Sequence, residues 1–118
     1  MAKSDVKKIK SPEIGVTKKG NVLESTYFDR NGYKIVAKVE NGQFILTRCG
    51  AGWGDPENGE SIVVSANDTR KLMDSLKVKH SETLLKSLGK RFALKEPHNS
   101  FFKILTSLQR RGVSFERK

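Results

Sequence analysis

The chain holds few residues with the chemistry of catalysis. Its one cysteine, Cys49, and its two histidines, His80 and His98, are the types that make a thiolate–imidazole pair. Cys49 closes a strand-like run while both histidines flank helix-like ones, and no third residue is spaced to orient the base. This set therefore predicts a buried, inert thiol and no enzyme. The same three residues are poorly spaced for zinc, and a single cysteine excludes Cys-x-x-Cys metal sites and internal disulfides. No metal and no cofactor are expected. Asp55 and Glu57 are close enough to act as an acid pair, but they lie in a Gly/Pro-rich stretch where solvated turn residues are the rule.

That stretch, "RCGAGWGDPENGES" from Arg48 to Ser61, gathers Gly50, Gly52, Gly54 and Gly59 around the only tryptophan. A phosphate cradle of the Gly-x-x-x-x-Gly-Lys-Ser/Thr type needs a lysine in register, and none follows these glycines. A dinucleotide fingerprint needs Gly-x-Gly-x-x-Gly opening a helix, whereas "GAGWGDP" runs into an Asp-Pro turn. A long connection between strands remains, with Gly59 supplying a turn. Trp53 is either folded over the sheet or exposed at the tip, where it would stack on a base.

The cations are more informative. Residues 1–20 hold six lysines against Asp5 and Glu13, a net of +4; residues 21–64 carry a net of −2; residues 65–118 carry +8, giving the chain its +10. This asymmetry predicts a polyanionic partner, nucleic acid first, because Lys and Arg displace counterions condensed on phosphates. The competing reading is a solubilising excess of charge. Lys86, Lys90 and Arg91 converge around a helix stop at Gly89 without a matching acid and are the first choice for phosphate contact. Arg110 and Arg111 fall in a last helical turn, where they equally complement the helix dipole.

The elements that position these residues follow from local signals. Residues 1–20 lack periodicity and read as a flexible basic arm. Residues 21–118 read as one α+β domain, with a sheet over 21–65 and a helical part over 66–118. Asn31-Gly32 and Asn41-Gly42 sit between strand-like runs and predict a three-strand meander, with "ESIVVS" adding a fourth strand. Two-residue turns place Phe28 opposite Ile35, Ala37 opposite Leu46 and Ile35 opposite Arg48. One face then carries Phe28, Tyr33, Ile35, Ala37, Val39, Phe44 and Leu46. The other carries Tyr27, Lys34, Val36, Lys38, Gln43, Ile45, Thr47 and Cys49. Three helices follow: one entered through Ser65 and Asp68, one capped by Ser81 and stopped by Gly89, and one capped by Asn99 or Ser100, lined on one side by Phe101, Phe102, Leu105 and Leu108, and ended by Gly112. Strands first and helices second predicts an antiparallel meander with helices packed on one face.

Over residues 41–76 the sequence resembles the positive cofactor four family of single-stranded-DNA-binding transcriptional coactivators. The likeness is carried by Gly42, Phe44, Leu46, Arg48, Asp55-Pro56-Glu57, Gly59-Glu60, Ile62, Val64 and Leu72. It implies dimerisation through a helix and binding of unpaired strands on Lys34, Lys38, Arg48 and Tyr27. The family concentrates its cations on the sheet, whereas here they concentrate in the helical part, and residues 77–118 have no counterpart in it.

The function expected is non-enzymatic binding of nucleic acid, single-stranded DNA or RNA foremost, with the arm and helical cations on phosphates and Tyr27 or Trp53 on bases. The first alternative is a small phage- or plasmid-type regulatory module docking on a transcription or replication partner through an exposed patch of Phe101, Phe102, Val36 and Ile45. The second is a duplex-DNA-binding regulator using the second and third helices. No apolar run approaches the ~20 residues of a membrane span, and the first residues lack a signal-peptide core, so an intracellular, cytoplasmic location is expected.

Overall fold

An Asn-Gly turn helps set the sheet. In the computed structural model residues 15–30, 32–49 and 59–117 are described, and their strands form a six-stranded antiparallel sheet in simple meander order. The centre is β2 (Val22–Arg30), β3 (Tyr33–Glu40), β4 (Gln43–Cys49) and β5 (Glu60–Val64), with short edges β1 (Thr17–Lys19) and β6 (Glu116–Arg117). Asn41 and Gly42, at φ 53° and 80°, turn β3 into β4 in the left-handed conformation that favours these residue types. The register is the one that the turn arithmetic predicts: Glu40 pairs with Gln43, Val39 with Phe44, Ala37 with Leu46 and Ile35 with Arg48.

Two strands exceed the four expected. Gly20, at φ 58°, and Asn21 fold Lys19 back onto Val22, so Thr17–Lys19, expected within the arm of residues 1–20, belong to the sheet instead. Ser25 Oγ donates to the Gly15 carbonyl at 2.7 Å and ties the preceding residues down as well. At the other edge Glu116 and Arg117 pair with Val63 and Ile62. The first fourteen residues lie outside the described residues, as do Trp53 and the rest of the glycine-rich segment 50–58. Gly59, at the return of that segment, lies so close to β4 that a Cβ would come within 2.3 Å of the Arg48 carbonyl oxygen.

One face of the sheet is covered by α1 (Ala66–Leu76), α2 (Ser81–Leu88) and α3 (Ser100–Arg110). Ile35, Ala37, Phe44, Leu46, Ile62 and Val64 from the strands meet Leu72, Leu84, Leu85, Leu88, Phe101, Ile104 and Leu108 from the helices, all fully or almost fully buried. Burial of one such side chain stabilises by about 1.5–3 kcal/mol. Thr69 fastens α1 to the strands, its hydroxyl donating to the Val64 carbonyl at 3.2 Å and accepting from the Phe44 amide at 3.0 Å. The start of α1 is the expected cap: Ser65 Oγ accepts from the Asp68 amide at 3.1 Å. α3 ends as expected too, with Gly112 at φ 72° and the Val113 amide donating back to the Leu108 carbonyl at 2.9 Å while Val113 is buried.

Three local expectations are corrected. His80, not Ser81, is the N-cap of α2, without a side-chain cap bond. Gly89 does not stop α2: it is right-handed helical (φ −61°, ψ −44°), and the chain continues through a π-helical turn, Gly89–Ala93, closed by the Leu94 amide on the Gly89 carbonyl at 3.0 Å. Continuing the helix buries Ala93 behind Leu85 and Leu88, an apolar gain that a stop at Gly89 would forgo. In α3, Phe102 points outward and Ile104 takes the core position expected for it.

Candidate nucleic-acid interface

Tyr27, expected on the open face of the sheet, is on the other side. Thr26 pairs with Val36 but Phe28 pairs with Ile35, so Tyr27 is the extra residue of a β-bulge. A bulge breaks the two-residue alternation. Tyr27 is 5% exposed, and its hydroxyl donates to the Leu85 carbonyl of α2 at 2.6 Å. Burial pushes the phenol pKa well above its ordinary range. This ring stacks on no ligand base.

Arg48 is likewise turned toward the helices, as its pairing with Ile35 requires. Its guanidinium forms an ion pair with Glu60 at 2.8 Å and sits 4.2 Å from the Phe102 ring centroid and 4.8 Å from that of Phe101. Glu60 also binds Arg117 of β6. With its side chain 11% exposed, Arg48 acts as a brace between β4, β5 and α3 and offers little surface to a phosphate.

Lys34 and Lys38 do lie on the open face, beside half-buried Val36 and Ile45. Acids stand opposite them, Asp29 across from Lys34 and Glu24 across from Lys38, with Glu40 and Glu116 on the same side, although neither lysine closes to an ion pair among the described residues. Directly opposed unlike charges attract one another and leave little net potential for an anion.

The helical layer is different. A surface depression of about 450 Å³ between the end of α1 and α2 is lined by Val78, Thr83, Lys86, Ser87, Lys90 and Arg91. Arg91 also borders a smaller one of about 190 Å³, with Phe92, Lys95, Glu96 and Lys103. Phe92 and Lys103 in turn border a third of about 510 Å³, with Thr106, Ser107, Arg110 and Arg111. Arg91 is common to the first two and Phe92 and Lys103 to the last two, so the three depressions adjoin in one row, here termed the trough, over α2, the π turn and α3. Lys86, Lys90 and Arg91 are thus brought together, and Arg110 and Arg111 join them from α3.

The cations of the trough fall into two kinds. Lys86 is paired with Glu82 at 3.3 Å, an acid the sequence reading missed although it stands one helical turn away, and Lys103 is paired with Glu96 at 3.7 Å. Arg111 donates to Ser107 Oγ at 3.2 Å and to Ser75 Oγ, which ties the end of α3 to α1. Lys90, Arg91, Lys95 and Arg110 are exposed and have no hydrogen-bond or ion-pair partner among the described residues. Lys95 and Lys103 were not foreseen; their spacing around the Pro97 break gave no periodic signal.

Elsewhere little chemistry converges. Cys49 is half-buried at the end of β4, and His80 and His98 are exposed at helix starts. Among the described residues no three of His, Cys, Asp and Glu are placed to hold a metal, and no helix is long and apolar enough to cross a membrane. The expected apolar patch does not assemble: Phe101 is buried, Phe102 is 48% exposed on α3, and Val36 and Ile45 lie on the opposite face of the sheet. Comparisons with protein-family models, with curated proteins and with solved structures find no match to this chain.

Proposed function

We propose that the protein is a non-enzymatic nucleic-acid-binding module whose contact surface is the trough over α2, the π turn and α3. The observation that carries this reading is the company of Lys90, Arg91, Lys95 and Arg110. These four cations border that row of depressions, lack partners among the described residues and stand beside hydroxyls of Thr83, Ser87 and Ser107. Unpaired guanidinium and ammonium groups flanked by hydroxyl donors suit a string of phosphates, whose counterions they displace. The open sheet face, with acids set opposite its lysines, offers no such attraction. Binding of this kind needs no cofactor, and the lone cysteine suits a reducing intracellular compartment.

The test is fluorescence anisotropy with labelled nucleic acid over a series of salt concentrations, comparing the protein with a Lys90→Glu, Arg91→Glu, Arg110→Glu variant. The expected outcome is a loss of roughly tenfold or more in affinity at moderate salt. The slope of log K against log salt should fall in magnitude by about two, near 0.7 for each phosphate contact removed from a single strand. Equal affinity for the two proteins would refute the trough as the binding surface.

A further inference from the structure

Phe92 stands in the middle of the trough, and its setting differs from that of the other described aromatics. Phe44 and Phe101 are fully buried, and Phe28 packs on Tyr33 with ring centroids 5.5 Å apart. Phe102 already carries the Arg48 guanidinium, and the depression beside Phe115 contains Asp68 and Glu116 with no cation. Phe92 is half-buried, packed at its back against the core and bordering two of the three depressions, with Lys103 common to both. The π turn that carries it has Gly89 and Ala93 buried and Lys90 and Arg91 exposed immediately before the ring. Such turns are rare and recur at functional sites.

A ring held from behind by the core loses little freedom when a base settles on it, and cations on both sides can hold the phosphates before and after that base. A base within a duplex is stacked on its own neighbours and does not offer its face. We propose that Phe92 is a base-stacking platform and that the trough therefore takes an unpaired strand, one base on the ring, with phosphates toward Lys90 and Arg91 on one side and Arg110 on the other. This rests on the reading of the trough as a phosphate-binding surface and adds to it the class of nucleic acid.

The two are separable with three labelled probes of equal length: oligothymidylate, the same sugar-phosphate chain with abasic sites, and a duplex. The full-length chain should bind oligothymidylate about tenfold tighter than the abasic chain, the size of effect that stacking of one base supplies. Phe92→Leu, which keeps an apolar side chain against the core, should abolish that preference while leaving abasic binding and its salt slope unchanged. Phe92→Tyr should keep the preference. Equal binding of oligothymidylate and abasic chain by the unaltered protein would overturn the stacking platform and leave the phosphate trough standing. Equal loss of both probes in Phe92→Leu would also overturn it. Absence of binding to all three probes would remove the trough reading itself.

Discussion

Tyr27 and Arg48 show how a side chain with binding chemistry can be committed to the fold. The Tyr27 hydroxyl reaches the Leu85 carbonyl, which also accepts the Gly89 amide, so Tyr27→Phe leaves that carbonyl with its helical partner. The expected cost is about 1 kcal/mol, measured by denaturant unfolding at neutral pH. The raised phenol pKa gives the stability a pH dependence of definite sign. Below the ordinary tyrosine pKa of about 10 both folded and unfolded states hold the proton; above it the unfolded chain ionises first, and stability declines as pH rises. Tyr27→Phe should flatten that decline above about pH 10, and an unchanged slope would show that Tyr27 is not its source. Strict alternation puts Tyr27 on the open face, and only the bulge, which leaves no mark in the local sequence, reverses it. Arg48 was legible in part: its register opposite Ile35 already turned it inward, but nothing in the sequence said that Glu60 and the rings of α3 would meet it there.

Two helix ends were readable, since Ser65 with Asp68 and Gly112 with Val113 satisfy backbone groups through chemistry visible in a few neighbouring residues. Gly89 misled for the same reason in reverse. A glycine after an apolar helical run suits a left-handed stop, yet tertiary burial of Ala93 and the half-burial of Phe92 carry the chain on through a π turn. The left-handed residue of this region is Lys77, at the end of α1, with φ 61° and its amide donating to Asp74. An L side chain in that conformation costs about 1–2 kcal/mol, part of which glycine returns as unfolded-state entropy. Lys77→Gly should therefore stabilise the protein by ~0.5 kcal/mol, seen as a rise of ~2 °C in thermal midpoint. A fall in midpoint would mean that the lysine stem contributes packing worth more than the backbone relief.

Charge and architecture are segregated together: the helical layer holds cations away from acids, and the far face of the sheet sets its lysines opposite acids. The net charges of the two halves were plain in the sequence, but the trough was not, because it is assembled from α2, the π turn and α3 across a break at Pro97. Location, not total charge, is what the proposed function requires. Lys34→Glu with Lys38→Glu changes the net charge by as much as Lys90→Glu with Arg91→Glu. The first pair should alter nucleic-acid affinity by less than about twofold at moderate salt, and the second by severalfold or more. Equal effects in the same anisotropy titration would mean that the protein attracts polyanions through its overall charge alone.

The two outermost strands also govern how the sheet meets other sheets. β1 is Thr17, Lys18 and Lys19, and β6 is Glu116 and Arg117, so each rim of the meander is a short strip with charged side chains laid along longer, more apolar strands. Beneath β6 runs Ile62-Val63-Val64, a β-branched segment whose backbone would otherwise be open to pairing with another chain. The ion pair from Arg117 to Glu60 helps hold that strip in place. The cover over that apolar segment is thus a strand two residues long and the carboxylate that anchors it.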